Sequence, residues 1–316
     1  MDRIQDSTRR IKNYTVREVA PYINWTYYFH AWGMEPRFAS IAYVHDCPSC
    51  CASWIASFTT EERPKAQEAL KLFQEAKEML GQWADKSICH AAFLLAEAYS
   101  DGDDIVINNT HIPFLRQQRP NKEGYTLCLS DFIAPKHTPE KREHTDIANR
   151  IGIFATTVSL PSNISSFDLQ RSTLADRLAE ATAEKIHEEV RRHYWGYAKE
   201  EQLTMQALHA EKFQGIRPAV GYPSLPDQSI NIMIDELLHL VDIGIELSEN
   251  GAMNPHCSVS GFMFAHPASH YFSVGDISEE QLTDYSLRRG LGADMLRNFL
   301  TSNLQSIKQE RNNNIE

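Results

Sequence analysis

The run Arg217-Pro-Ala-Val-Gly-Tyr-Pro223 puts a permanent cation, two restrained backbone positions, small residues and an aromatic into one short segment. An arginine presents a planar fork of donors that matches a carboxylate bidentately. Pro218 and Pro223 restrict the backbone at both ends, while Ala219 and Gly221 leave main-chain N–H and C=O groups open to close approach. Tyr222 adds a flat apolar face with a polar tip. This combination suits a small zwitterionic ligand. A rigid surface turn with an incidental arginine is the competing reading of the same residues.

Outward from the run, Asp176-Arg-Leu-Ala-Glu180, Tyr194-Trp-Gly-Tyr197 and Gln214-Gly-Ile-Arg217 lead into it. Ala252-Met253, Ser258-Val-Ser-Gly261, His266-Pro267 and Tyr271-Phe272 follow it. Nearer the N-terminus stand Ile23-Asn-Trp-Thr26, Gly102-Asp-Asp104 and Leu129-Ser-Asp-Phe-Ile-Ala-Pro135. Together and in this order they closely resemble the activation domain of cobalamin-dependent methionine synthase, the module that binds S-adenosylmethionine (AdoMet). The resemblance covers nearly the whole chain and is densest from about Asp176 to Arg289. It implies an α+β fold, a twisted, mainly antiparallel sheet flanked by helices in a C-shaped arrangement. We expect a single large domain over 1–316, with mobile ends at 1–14 and 310–316.

Composition agrees. The 316 residues are 42% hydrophobic and 23% charged, ordinary values for a soluble protein able to bury a substantial core. A formal net charge of -11 argues against nucleic acid or an anionic membrane as the main partner, since both call for basic patches. Met1 to Tyr14 lack the apolar core of a secretory signal, and no stretch approaches the ~20 apolar residues that span a bilayer. The expected location is cytoplasmic, with the six cysteines mostly reduced.

His45-Asp-Cys47-Pro-Ser-Cys50-Cys51 crowds soft ligands into one segment, and it departs from the family pattern. A Cys-x-x-Cys pair is a common half of a zinc site, but Cys89, Cys128 and Cys257 are scattered and only His45 is at hand as a further ligand. We read the cysteines as incidental residues of a loop, with a metal site or a redox-labile thiol pair as alternatives.

Element signals are mixed. Thr59-Thr60 ahead of Glu61-Glu62, then Ala66, Ala69, Leu70, Phe73, Ala76 and Leu80, predict an amphipathic helix over 60–85. Strands are predicted at 91–96, 105–107 and 151–160, with a Gly-Asp-Asp turn between the first two. The strongest helix runs from Asp168 to Tyr194, burying Leu174, Leu178, Ala179, Ala183, Ile186 and Val190. Asp176, Glu180, Glu184 and His187 fall on its opposite stripe, which unaided reads as a solvated face. Helices at 205–213 and 229–240 bracket the Arg217 run; strands follow at 243–247, 259–265 and 271–275, and Ser278-Glu-Glu-Gln281 opens a late helix.

There is no Gly-rich phosphate loop, no Gly-x-Ser-x-Gly and no His-Glu-x-x-His, and the thirteen histidines are dispersed. A self-contained hydrolase or metalloenzyme is disfavoured. The cobalamin-ligating Asp-x-His-x-x-Gly is missing too, so the resemblance implies a cobalt carrier on another polypeptide. In the family, cob(II)alamin is recovered by one electron, from a flavodoxin-like or diflavin partner, and a methyl group from AdoMet. Reduced cobalamin is itself the nucleophile, so the protein need only hold the sulfonium methyl in line and exclude water.

Roles follow by resemblance. Arg217 is expected to bind the AdoMet carboxylate, and Ala219 and Gly221 to offer backbone contacts to the adenosine. Tyr222 is expected to face the cobalamin, Tyr271 and Phe272 to supply ligand-facing aromatic surface, and Glu180 and Glu211 to lie near the sulfonium, each with a surface salt bridge as the plainer reading. Asp176 is expected to face the cobalamin-carrying partner. Two departures stand out: the expected Ile-Asp-Trp-Thr is Ile23-Asn24-Trp-Thr26, and the expected His-Thr-Glu-Lys is Gln228-Ser-Ile-Asn231. Asn24 would replace a charge-assisted bond to the AdoMet amino group by a neutral one, and the second change points to altered partner contacts. The expectation is a stand-alone activation subunit, part of a methyltransferase system for methionine biosynthesis, acting by reductive methylation. A non-catalytic AdoMet-sensing or corrinoid-docking module is the alternative, and a thiol or metal protein built around Cys47–Cys51 a distant third.

Overall fold

The residues Ile88–Asp101 carry small and branched apolar side chains on both faces, and they form the spine of a six-stranded sheet. The structure is a computed structural model that describes residues 8–136, 145–160 and 169–304. In chain order, β1 (Arg10–Thr15) runs into α1 (Val16–Val19), α2 (Trp25–His30), α3 (Pro48–Ala56) and the long α4 (Arg63–Trp83). A meander of β2 (Ile88–Asp101), β3 (Asp104–Ile107) and β4 (Thr110–Pro113) follows, then α5 (Thr145–Ala148) and β5 (Arg150–Ser159). Next come α6 (Leu169–Glu189), α7 (Met205–His209), α8 (Ile230–Leu238) and the two-residue strands β6 (Glu246–Leu247) and β7 (Met253–Asn254). The strand β8 (Ser258–Met263) and the helices α9 (Glu279–Arg289) and α10 (Ala293–Phe299) complete the described chain.

Every strand pairing is antiparallel, and the main sheet runs β4-β3-β2-β5-β8. One edge of β2 is taken by β5, from Ile88 opposite Ser159 to Glu97 opposite Arg150. Its other edge is divided between β1, opposite Ile88 to Phe93, and β3, opposite Ala98 to Asp101. The sheet therefore curls instead of lying flat, as strongly twisted antiparallel strands do.

Alternation along the central strands separates two apolar layers. Cys89, Ala91, Phe93 and Leu95 of β2, with Phe154 and Val158 of β5, pack with α1, α4 and α6. Ala92, Leu94, Ala96 and Ala98, with Ile151, Ile153 and Ala155, pack on the other face with α8. Leu174, Leu178, Ala179, Ala183 and Ile186 of α6, and Val190 just after it, are fully buried, as their spacing predicts.

Several boundaries differ from the sequence reading. Arg10 to Tyr14 are paired to β2, so the first strand occupies part of the expected mobile N-terminal end; residues 1–7 and 310–316 lie outside the described residues. The start of the long helix at Asp168 also lies outside them, and its last turn, Val190–Tyr194, is a π-helix. There Arg191 is buried and forks onto Glu201 through Nε at 3.0 Å and a terminal nitrogen at 2.7 Å. The strand expected at 243–247 shrinks to Glu246–Leu247, because a 3₁₀ turn claims Leu240–Ile243. Residues 271–275 form no ladder. Their neighbour Pro223 has no N–H, so the contact reduces to Val274 N–H donating to Pro223 O at 2.9 Å and a Ser224 hydroxyl clamp on Phe272.

Candidate functional site

The Arg217 run lies along β8 as an interrupted strand. Ile216 and Phe264 exchange two backbone hydrogen bonds of 2.9 Å; Phe262 N–H donates to Pro218 O at 3.1 Å and Val220 N–H to Ser260 O at 2.9 Å. Pro218 breaks the ladder on one strand, which is why the sequence reads as a turn. Close approach also needs Gly261: a Cβ there would meet Pro218 O at 2.2 Å and Ala219 Cα at 2.8 Å. Beyond the paired part, Gly221 at φ +86 opens a tight turn closed by Leu225 N–H to Tyr222 O at 2.8 Å.

A cavity of about 500 Å³ opens between this run, α6, the end of α7, the 271–273 segment and the entrance to α2. Asn24, Glu180, Glu211, Arg217, Ala219, Tyr222, Tyr271 and Phe272 all line it. Gly221 does not line it; its part is the turn that follows. Asp176 lies outside as well, 3.3 Å from exposed His256, with its carboxyl pushed up by burial.

Arg217 is engaged within the protein. Its guanidinium is 3.2 Å from Glu184 Oε2, with the two side chains 10% and 15% exposed, and sits 5.5 Å from the Phe154 ring centre. Glu184 Oε1 and Arg217 Nε are buried without a hydrogen-bond partner among the described residues. The Arg217 backbone N–H donates to the Tyr271 hydroxyl at 2.9 Å, and burial pushes the Tyr271 phenol up to about 12. Tyr222 donates a short hydrogen bond to Glu180, and burial followed by the Glu180 charge raises its pKa as well.

Glu211 reaches the cavity from an unusual backbone. The helix predicted over 205–213 stops at His209, since Glu211 adopts φ +55. Its N–H and that of Lys212 close back onto Leu208 O and Ala207 O, the paired bonds of a Schellman end normally built with glycine. Burial, then the Glu184 charge, raises the Glu211 carboxyl. Asn24 caps α2, its Oδ1 accepting from Thr26 N–H at 3.1 Å, so part of its acceptor capacity is engaged within the protein.

The sequence reading missed Glu184, Arg177, His209, Tyr22 and Tyr27 as lining residues. Glu184 stands one helical turn after Glu180, a usable signal. His209 is fixed only by tertiary contact, its Nε2 lying 3.0 Å from Tyr22 O. His187 does not join the polar stripe at all: it is wholly buried edge-on against Phe213, and burial, then Arg191 and Arg217, keep it neutral. Of the Gln228–Asn231 segment only Gln228 is exposed, and Asn231 donates inward to Gly251 O at 2.8 Å, so three of the four positions face the interior instead of a partner.

The cysteine segment is not a loop. Pro48 opens α3, and the Cys47 sulfur caps it by accepting from Cys50 N–H at 3.3 Å. Hydrogen bonds from Cys50, then Ser49, bring the Cys47 thiol down to about 6. Ligand atoms of His45, Cys47 and Cys50 lie within 4.8 Å of one another, while buried Cys51 stays outside this group.

Among solved structures, the chain is similar to one described as the crystal structure of the MetH reactivation domain bound to AdoHcy. The TM-score is 0.77 with 33% identity, over 95% of this chain and 91% of that one. The family model for the activation domain of vitamin B12 dependent methionine synthase matches residues 15–290. On that match, which spans β2 to β8, α6 and every wall of the cleft, the chain belongs to the vitamin B12 dependent methionine synthase activation domain family.

Proposed function

We propose that the cleft binds AdoMet and presents its methyl group to a cobalamin held by a partner protein. One observation carries this reading: Arg217, three carboxylates and the ligand-facing aromatics meet in a single cavity, on a chain 33% identical to a domain solved with AdoHcy. The volume lies within the roughly 300–1,000 Å³ of small-molecule sites. Arg217, whose fork gives one terminal nitrogen to Glu184, takes the ligand carboxylate. Glu180, Glu184 and Glu211 outnumber Arg177 and Arg217, which favours a ligand with sulfonium and ammonium charges. Backbone of Ala219 contacts the adenosine, and half-exposed Tyr222 at the rim faces the corrinoid, with Asp176 on the outer, docking side of α6.

The cobalamin supplies a strong cobalt nucleophile once reduced by one electron from a flavodoxin-like or diflavin donor. The residues of this chain orient the methyl group, exclude water and leave AdoHcy as the product; no general base is required of them.

Calorimetric titration with AdoMet tests the site. Wild type binds, and Arg217→Lys, which keeps the charge beside Glu184 but loses the fork, binds about tenfold more weakly. Absence of heat near millimolar AdoMet with the wild type overturns the proposal. The AdoMet-sensing alternative draws on Asn24, whose carbonyl already serves a helix cap. Methyl transfer to a supplied cob(II)alamin protein under reductant separates the two: transfer is expected, and binding without transfer makes the chain a sensor.

A further inference from the structure

Away from the cleft, His45, Cys47 and Cys50 form a cluster that AdoMet chemistry does not use. We propose that these three side chains bind a divalent metal ion of the zinc class. Their nitrogen and sulfur atoms all lie within 4.8 Å of one another. In a tetrahedral zinc site, Zn–S of about 2.3 Å and Zn–N of about 2.0 Å put neighbouring ligand atoms roughly 3.5–3.8 Å apart. The difference to be closed is therefore about 1 Å at most.

The backbone is arranged for it. Pro48 starts α3, so Cys47 and Cys50 sit at its N-cap and third position with both sulfurs at the same end of the helix. Cys50 N–H donates to Cys47 Sγ at 3.3 Å, and Ser49 Oγ lies 3.3 Å from the same sulfur. Such outer contacts orient a ligating thiolate. The preceding turn is pinned by Cys47 N–H to His45 O at 2.8 Å and by Asp46 against Lys77 of α4 at 2.5 Å. None of the three side chains is consumed by core packing: His45 is exposed and both cysteines are half-buried, with His45 and Cys50 lining a shallow depression beside Val44, Ser53 and Trp54. Three protein ligands leave a fourth position, which here opens to solvent and takes water.

The test uses the full chain, reduced and freed of metal with a chelator, and titrated with Co²⁺. The expected result is one-to-one uptake with a thiolate-to-cobalt charge-transfer band and tetrahedral d–d bands, both lost when Zn²⁺ is added. Cys47→Ser, whose hydroxyl still caps α3, and Cys50→Ser each weaken uptake about tenfold or more and reduce the charge-transfer band by about half. His45→Ala weakens uptake but keeps the band, and Cys51→Ala changes neither. Thermal unfolding in chelator checks that each variant is folded. Absence of the band, uptake undiminished in the cysteine variants, or a Cys47–Cys50 disulfide on mild oxidation in a chain whose reduced form takes no metal overturns the site.

Discussion

Removing the Arg217 guanidinium leaves a carboxylate stranded in the cleft wall. Glu184 is 15% exposed, and its second oxygen already lacks a partner. Breaking a buried pair by deleting one member costs about 3–5 kcal/mol, and the residual exposure of both side chains points to the lower end. The guanidinium also sits 5.5 Å from the Phe154 ring centre, a contact adding about 0.5–1 kcal/mol. Arg217→Met is therefore expected to lose roughly 4 kcal/mol of stability and Glu184→Gln roughly 3 kcal/mol. The double variant should fall short of their sum by about 2–3 kcal/mol, because the second change relieves what the first exposes. Urea unfolding of the four forms without ligand measures this coupling. A value below about 0.5 kcal/mol, typical of an exposed pair, would refute the internal ion pair. The consequence for function is direct. Loss of AdoMet binding in a single Arg217 deletion mixes a missing contact with a disturbed fold, whereas the double variant repairs the second and leaves the first.

Two further outcomes follow from the same wall. Gly261→Ala sets a methyl against Pro218 O and Ala219 Cα, and is expected to cost about 1–3 kcal/mol and weaken AdoMet binding as the Arg217 run is pushed off β8; melting and calorimetry read both, and wild-type values for both would refute the close packing. Tyr271 is pushed up to about 12 from a usual 10.0, so the native state holds its phenolic proton more tightly than the unfolded chain; this contribution is complete below pH 10 and is lost as pH rises through 12. Tyr271→Phe should flatten that fall, and identical slopes in the two proteins would contradict it.

The elements legible in the sequence are those whose order is local. Five apolar positions of α6 and Val190 after it recur at helical spacing and all are fully buried, and the Gly102 turn sits where β2 hands over to β3. The cleft-lining residues were reached by resemblance to a family, since nothing periodic links Asn24, Glu211 and Tyr271. What stayed hidden depends on partners far along the chain. Arg217 and Glu184 are 33 residues apart, and no spacing rule pairs them. Proline disguises the Arg217 run as a free turn, and Pro223, having no N–H to give, keeps the strand-like 271–275 segment from forming a ladder. A helix end at Glu211 was unreadable without a glycine to mark it. His187 was assigned to the polar stripe because helical phase cannot report what packs over it.

Arg217, Glu184 and Tyr271 are each held by an internal partner that leaves a valence open. Arg217 gives one nitrogen to Glu184 and keeps Nε, while Glu184 accepts on one oxygen and keeps the other. The Tyr271 hydroxyl accepts the Arg217 N–H and still has its own proton to give. Desolvation of these groups is therefore settled during folding, before any ligand arrives. A zwitterion entering the cleft meets donors and acceptors already oriented, so its binding energy is not spent on ordering them. That arrangement also suits the proposed methyl transfer, which asks no general base of the cleft. If the nucleophile comes from the partner, the useful contribution of this wall is a fixed angle and a dry approach, and internal ion pairs supply fixity better than mobile surface charges do.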